Sequence, residues 1–248
     1  MMAREVAVKM RNIIRFRPKS FLDPARRDWQ FAAFAWLLRN GGGYPKFQDT
    51  ALVLPTEAFF PDRAMDGHAG IAALFRRVRE HAGMGDWPCS VEPDASADRP
   101  RLSGADSVPV IRYRPDSLEP TSLVAAFARE LARYYVETFD EGAPAGPELQ
   151  ESALDVAAVF MGFGVFVANS ALECASHGLN EGEIAHALAI FCLLRRIPAE
   201  SVDAHLNPHL RKYLRLAARD LTQHQASFHK LRSVFAVVSF DFERATRE

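Results

Sequence analysis

The chain has 248 residues, of which 48% are hydrophobic and 25% charged, the composition of a soluble globular protein that can bury a sizeable core. Its formal net charge of −1 excludes a global electrostatic field that would attract nucleic acid or an anionic membrane. The three cysteines are too few and too scattered for a disulfide framework or a zinc ribbon, which favours a reducing cytoplasm.

Residues 1–20 form a basic lead-in. Six lysines and arginines stand there against a single acidic residue, Glu5: Arg4, Lys9, Arg11, Arg15, Arg17 and Lys19. The apolar run of a secretory signal is missing, so a cytoplasmic location is expected. We expect a solvated arm followed by a single domain over residues 21–248, since neither an internal repeat nor an interdomain linker is visible.

Helices and strands alternate in the first half of the chain. Asp23-Pro24 is typical of a helix start, with an N-cap carboxylate and a first-turn proline, and three glycines at 41–43 are typical of a helix end. The polar segment between residues 93 and 108 is expected to be a mobile loop. Apolar patterning predicts a helix over 67–82 and strands over 50–56, 89–93 and 108–115.

From Pro120 onward the apolar spacing predicts helices over 120–138, 147–173, 180–196 and 207–231, with a last turn or strand at 234–242. The most apolar segment, "VAAVFMGFGVFVA" at 156–168, is shorter than the about 20 residues that a membrane-spanning helix needs. A buried core helix is predicted instead. The sequence therefore predicts an α+β fold, in which a small N-terminal sheet with helices precedes a mostly helical C-terminal half.

One predicted helix carries a charged motif. Residues 129–133 read Arg-Glu-Leu-Ala-Arg, the form of HExxH with arginine at both histidine positions. After a loop, residues 151–155 read Glu-Ser-Ala-Leu-Asp, which gives ExxxD on the next predicted helix. In HExxH, two histidines one helical turn apart bind zinc, and the glutamate acts as general base on the metal-bound water.

These motifs resemble the core of the gluzincin zinc metallopeptidases, in which a strand, the HExxH helix, a loop and the ExxxD helix follow in this order. The chain also resembles uncharacterised bacterial proteins with an "HELAHYLL…TDLAAVFLGFGVF"-type core. The corresponding letters here are "RELARYYV" and "ESALDVAAVFMGFGVF". The resemblance covers residues 108–196 well and the first hundred residues more loosely, and it implies a zincin-like fold.

By this resemblance Glu130 holds the general-base position and Glu151 that of the third zinc ligand. Asp155 holds the position of the carboxylate that orients a metal-bound histidine. Arg129 and Arg133 stand in place of the two histidine ligands. A guanidinium group is always protonated and has no lone pair for a metal, so neither zinc binding nor the family's catalysis is expected. No metal and no other cofactor is predicted.

Two interpretations of the arginines remain open. Two guanidinium groups carry the charge of one zinc ion, so they could pair with Glu151 and Asp155 and tie the two helices together. Unpaired, partly buried carboxylates would otherwise cost on the order of several kcal/mol. Alternatively, the charged residues form a solvated stripe of helix-surface ion pairs. That stripe would consist of Arg129, Glu130, Arg133 and Glu137, opposite a core face of Leu123, Phe127, Leu131 and Tyr134.

The histidines and cysteines give no recognisable site. A predicted helix start separates His205 from His209, and the other histidines lack metal-site spacing: His177, His186, His224 and His229. Cys174 and Cys192 lie among apolar residues and are predicted to be buried, and Cys89 has no flanking signature.

Two further features are singled out. Gly162 and Gly164 interrupt an apolar helix, so they are expected to permit close packing rather than to bind phosphate. A C-terminal helix carries a basic face, which is either solvated or a surface for a partner or an anion: Arg211, Lys212, Arg215 and Arg219.

The sequence thus favours a catalytically inactive, metallopeptidase-like protein that serves as a binding or scaffold module. A peptide or protein partner could bind in a cleft between the 108–115 strand and the 129–133 helix, as an added strand or through an anionic group. Specific nucleic-acid binding and a transmembrane segment are not expected. The alternatives are a hydrolase with an unrecognised site or a metal held by other residues, and a structural helical protein unrelated to zincins.

Overall fold

A computed structural model describes residues 20–61, 67–104, 108–115, 119–171 and 178–236. Over these residues the fold is α+β, as predicted, with ten α-helices and one small sheet. The helices of the first half and centre are α1 (Pro24–Asn40), α2 (Gly43–Phe47), α3 (Gly67–His81), α4 (Pro120–Val136), α5 (Gln150–Ala158) and α6 (Gly164–Ser170). Those that follow are α7 (Glu181–Arg195), α8 (Ala199–Asp203), α9 (Pro208–Leu221) and α10 (Gln225–Arg232).

The sheet has three strands, β1 (Ser90–Pro93), β2 (Arg101–Ser103) and β3 (Val110–Tyr113), in the order β1-β3-β2. β1 runs parallel to β3 and β2 antiparallel to it. Two of the predicted strands are therefore present. The segment between them was expected to be a loop. This prediction is wrong at β2, which pairs with β3 so that Leu102 lies opposite Ile111.

The strand predicted over residues 50–56 is absent. Leu52 and Val53 are buried, as their apolar character implies, but no neighbouring strand lies beside them among the described residues. Instead the Val53 N–H donates to the Gly162 carbonyl oxygen at 2.9 Å. The backbone hydrogen bond of this segment is therefore made to a helix kink rather than to the sheet.

The kink lies in the middle of the most apolar helical segment. A π-type turn over Val159–Phe163 joins α5 to α6, and Gly162 within it has φ +98°. An added Cβ on Gly162 would lie 2.1 Å from the Ala51 carbonyl oxygen, so both the backbone angle and the space require glycine. An added Cβ on Gly164 would lie 2.8 Å from Leu188 Cδ1 of α7, which confirms the predicted close packing.

The helical run Pro147–Ser170 has the length and composition of a membrane span, at 24 residues, but 94% of its apolar window is buried inside the protein. It is packed as the core helix predicted for residues 156–168. Around it the buried apolar side chains of the helices and the sheet form one cluster. Helix α4 lies between β2 and α5, and α7 packs along α9.

Capping residues set the helix ends that the sequence anticipated. The Asp23 carboxylate accepts the Ala25 N–H at 2.9 Å, and Gly41 caps the C-terminal end of α1. The helix predicted over 207–231 is interrupted, because the chain turns at residues 222–224 between α9 and α10. This turn allows Phe228 of α10 to pack edge-on against Phe31 of α1, with ring centroids 5.5 Å apart. The predicted closing element at 234–242 lies largely outside the described residues.

Candidate functional site

Helix α4 presents its charged motif to the helix that follows it. Arg129 and Arg133 are one turn apart and therefore share a face, which points toward α5. The opposite face is apolar, with Leu123, Phe127 and Leu131 buried in the core as expected, whereas Tyr134 is only partly buried against it. The solvated-stripe interpretation fails here, because Arg129 and Glu130 are themselves buried.

Arg129 joins both acidic residues of the ExxxD motif. Its Nε donates to Asp155 Oδ1 at 2.7 Å, and its Nη2 donates to Glu151 Oε2 at 2.6 Å. The Arg129 side chain is only 6% exposed and that of Asp155 is fully buried. The guanidinium group is thus a bridge between α4 and α5.

Asp155 also fixes a third segment of the chain. Its second carboxylate oxygen, Oδ2, accepts the backbone N–H groups of Gly178 and Leu179 at 2.8 and 3.0 Å. Gly178 lies so close to α5 that an added Cβ would be 2.2 Å from the Ser152 nitrogen. One carboxylate therefore holds α4, α5 and the residues that lead into α7.

Arg133 extends the cluster toward solvent. Its Nη2 donates to Glu151 Oε1 and its Nε to Glu130 Oε2, each at 3.3 Å. The Arg133 side chain is 22% exposed and that of Glu151 50%, so Glu151 bridges the two arginines at the surface end. Of the ion pairs expected between the two arginines and Glu151 and Asp155, both arginines pair with Glu151, but only Arg129 pairs with Asp155. We call these five residues, Arg129, Glu130, Arg133, Glu151 and Asp155, the arginine–carboxylate cluster.

Glu130 is bound to the sheet rather than directed at a substrate. Its Oε2 accepts the backbone N–H of Leu102 at 2.9 Å, in addition to the Arg133 contact. Leu102 belongs to β2, which is an edge strand. The side chain therefore satisfies a backbone donor at that edge and leaves it unavailable to an added strand.

Electrostatic pairing outweighs burial within the cluster. Burial acts to lower the pKa of Arg129, but the Asp155 carboxylate, followed by Glu151, raises it above its usual range. Burial acts to raise the pKa of Glu151, but Arg129 and then Arg133 hold it below its usual range. Both groups are therefore charged at neutral pH, and each stabilises the charge of the other.

These residues do not fit a zinc ion. The two positions that would supply histidine nitrogens carry guanidinium groups without a lone pair. The carboxylate oxygens of Glu151 and Asp155 that face them already accept hydrogen bonds. Within the described residues, no group of three histidine, cysteine or acidic side chains converges in a way that could hold a metal.

The prediction that a peptide could add as a strand beside the 108–115 strand is wrong. β3 is the central strand, with β1 on one side and β2 on the other, so it has no free edge. The anionic-group alternative at the arginines is also disfavoured. Three carboxylates already surround the two guanidinium groups, and they leave the cluster with a formal charge of −1.

The histidines do not assemble into a site within the described part of the chain. His209 Nε2 lies 2.8 Å from Glu181 Oε1 at the surface. His186 is fully buried, and its Nδ1 lies 2.7 Å from Gln30 Oε1. Burial, reinforced by the charges of Arg27 and His224, lowers the pKa of His186 to about 3, so this imidazole is neutral. His177 lies outside the described residues.

The described cysteines are inert. Cys89 and Cys192 are both buried and unpaired, which confirms the expectation for Cys192. Burial raises the pKa of the Cys89 thiol to about 11 and that of Cys192 to about 12. Neither is a nucleophile at neutral pH, because the thiolate is the reactive form. Cys174 lies outside the described residues.

Three partners of the cluster were missed by sequence reasoning. They are the amides of Leu102, Gly178 and Leu179, all of them backbone groups that a side-chain motif does not reveal. A glycine just before an Asn-x-x-Glu helix start at 180–183 was the available signal for the second of them. Comparison of the whole chain with protein-family models, with curated proteins and with solved structures gives no match.

Proposed function

We propose that this protein is a catalytically inactive counterpart of the gluzincin-type metallopeptidases and acts as a binding or scaffold protein. The arginine–carboxylate cluster stands in it where the family has zinc. The observation that carries this proposal is the placement of Arg129, which contacts Glu151 and Asp155 together. In the family pattern, the residue at this position is a histidine. One side of its ring reaches the glutamate ligand through the metal ion, and the other side contacts the orienting aspartate.

The charge arithmetic of the cluster supports the same proposal. Two guanidinium groups supply the two positive charges that a zinc ion would bring, and they are shared among the same carboxylates. Glu130, at the general-base position, is engaged by Arg133 and by the Leu102 amide. The guanidinium groups at positions 129 and 133 cannot hold the metal that activates the family's water, so hydrolysis by the family's mechanism is not expected.

A back-substitution tests this proposal directly. We expect the double variant Arg129→His/Arg133→His to gain a zinc site, because two imidazoles one helical turn apart would then face Glu151. The purified wild-type and variant proteins would be dialysed against zinc, and the bound metal measured by mass spectrometry and calorimetry. The expected result is one tightly bound zinc per chain in the variant and none in the wild type.

The matched control adds Glu151→Gln to the double variant. Removing the third ligand should weaken zinc binding by at least about tenfold, since displaced or missing ligands and their supports typically cost this much. Stoichiometric zinc in the wild-type protein would contradict the inactive assignment. Zinc binding in the double variant that is indifferent to Glu151→Gln would contradict the zincin-like arrangement of α4 and α5.

A further inference from the structure

Helix α9 has two chemically distinct faces. One is apolar and packs into the core, mainly against α7, through Leu210, Leu214, Ala217 and Leu221. The opposite face bears basic side chains around an exposed leucine. With Pro208 these residues line a shallow surface groove of about 420 Å³: Arg211, Lys212, Arg215, Leu216 and Arg219. We call these five residues the α9 basic face.

The residues that line the groove follow helical spacing. Counted from Pro208 they occur at i+3, i+4, i+7, i+8 and i+11, so they form one continuous stripe along the outer surface of α9. The stripe from Arg211 to Arg219 is about 12 Å long, because a helix rises about 1.5 Å per residue. This is the spacing with which one helix contacts another that packs beside it.

Most of the positive charge on this face is not neutralised by the described part of the chain. Arg211 Nε donates to the uncharged Leu206 carbonyl oxygen at 2.9 Å. Lys212 and Arg219 are exposed and form no ion pair with any described residue. Three of the four cations are therefore available to an external anion.

The fourth cation shows which kind of anion this face takes up. Arg215 Nε donates to Asp203 Oδ2 at 2.8 Å, and its Nη2 donates to the same oxygen. Asp203 belongs to α8, a short helix that packs against α9. A carboxylate presented by a neighbouring helix thus fits the face, and the cations before and after Arg215 along α9 would accept further carboxylates in the same way.

Leu216 and the short length of the stripe decide between anionic partners. Leu216 is 40% exposed among the cations, and a phosphate backbone would leave it without an apolar contact. Three cations over about 12 Å are also few for nucleic acid, whose binding proteins make about 6–10 phosphate contacts. A lipid surface would require an apolar helix face to insert, but that of α9 is buried against α7. An acidic amphipathic helix, in contrast, supplies both carboxylates and an apolar side chain.

We propose that the α9 basic face binds an acidic amphipathic helix of a partner protein. Carboxylates of that helix pair with Arg211, Lys212 and Arg219, and an apolar side chain between them packs on Leu216. This face is separate from the arginine–carboxylate cluster, so the proposal does not depend on the ancestry of that cluster.

Fluorescence anisotropy with the full-length protein tests this proposal. The probe is a labelled peptide of about 20 residues, in which leucines recur at i, i+3, i+4 and i+7 and glutamates flank them. A second peptide keeps the glutamates but replaces every leucine with alanine, which preserves helix propensity. We expect micromolar binding of the first peptide and at least about fivefold weaker binding of the second, because the contact on Leu216 is lost. Binding of both should weaken at high salt.

Variants of the protein locate the binding site. Lys212→Glu/Arg219→Glu should weaken binding of the leucine-containing peptide by at least about tenfold, because two attractive contacts become repulsive. Leu216→Gln should weaken it by about fivefold without altering its salt dependence. The matched control is Lys46→Glu/Arg99→Glu, which changes the net charge equally at exposed positions outside α9 and should bind like the wild type. Circular dichroism of each variant checks that it is folded.

Several outcomes would overturn the proposal. Wild-type protein that does not bind the leucine-containing peptide would do so, as would equal losses in the α9 charge variant and its control. Equal affinity for the two peptides would mean that the face recognises charge alone, which also contradicts an amphipathic partner. Binding to DNA or RNA oligonucleotides, or to anionic vesicles, that the α9 charge variant abolishes, without peptide binding, would instead assign the face to that partner.

Discussion

The Arg129 guanidinium and the Asp155 carboxylate form a buried ion pair between two helices, with Nε donating to Oδ1 at 2.7 Å. Asp155 is fully buried and its other oxygen is bound by two backbone amides. An isolated carboxylate in this position would be costly, since removing one partner of a buried pair leaves an uncompensated charge. The pair is therefore expected to be required for stability.

Replacement of Arg129 by methionine should destabilise the protein by about 3–5 kcal/mol, because the buried Asp155 carboxylate would lose the guanidinium group that pairs with it. Urea unfolding followed by circular dichroism at neutral pH measures this free energy. Arg133→Met is the matched control. Its side chain is more exposed and does not contact Asp155, and its buried partner Glu130 keeps the Leu102 amide as a donor, so its loss should cost less than that of Arg129.

A second substitution separates lost charge pairing from lost packing. Arg129→Met/Asp155→Asn should be more stable than Arg129→Met alone, by about 1–3 kcal/mol, since the buried carboxylate that lost its guanidinium partner is replaced by an uncharged amide whose oxygen still accepts a backbone bond. A double variant no more stable than the single one would mean that packing, rather than charge, explains the loss.

Stability should fall at acid pH through Glu151. Its folded-state pKa lies below the usual value, because Arg129 and Arg133 favour the carboxylate despite burial. The contribution is therefore complete above the unfolded-state pKa of about 4.3, and it is lost as the pH falls through the lower folded-state value. Unfolding curves of the wild type and Glu151→Gln should differ near neutral pH and converge under strongly acidic conditions. A difference in unfolding free energy between the two proteins that is independent of pH would contradict this prediction.

His186 should add a pH dependence in a higher range. Its folded-state pKa is lowered to about 3, mainly by burial, so the folded protein does not take up the proton that the unfolded chain binds below about pH 6.5. This group therefore destabilises the fold progressively as the pH falls, by about 1.4 kcal/mol per pH unit. His186→Gln should remove that slope between about pH 6 and 4 in otherwise identical unfolding experiments. An unchanged slope would show that another group titrates there.

Gly178→Ala should be strongly destabilising. The added methyl group would lie 2.2 Å from the Ser152 nitrogen, so the backbone that donates to Asp155 must move away from α5. We expect a loss of about 2 kcal/mol or more, of the size seen when core overpacking is combined with a broken buried hydrogen bond. Gly142→Ala, where a Cβ meets no atom within 4 Å, is the control and should be close to neutral. Equal melting temperatures of the two variants would refute the close approach.

The helical part of the fold followed from local signals in the sequence. Asp23-Pro24 marked the start of α1, and apolar spacing predicted the helix over 180–196, because each of these signals lies within a few neighbouring residues. The contact between the two motifs was also predictable, since both lie on neighbouring helices and carry opposite charges. The solvated-stripe alternative remained open until the burial of Arg129 and Glu130 was known.

The strands were harder to predict because their partners are distant. β2 has only three residues within a segment rich in turn formers, and its stability comes from β3 and from the Glu130 carboxylate 28 positions away. The apolar run at 50–56 looked like a strand, yet its backbone partner is the kink at Gly162. Neither relationship has a signature within the segment itself.

The hydrogen bonds that Asp155 accepts from the Gly178 and Leu179 amides have an evolutionary consequence. The carboxylate is needed by the backbone of this fold whether or not a metal is nearby, so selection on folding alone retains it. Once retained, the carboxylate favours a cation beside it, and Arg129 supplies that cation in a single residue. Loss of Arg129 is then selected against, because the buried carboxylate would lose the guanidinium group that pairs with it.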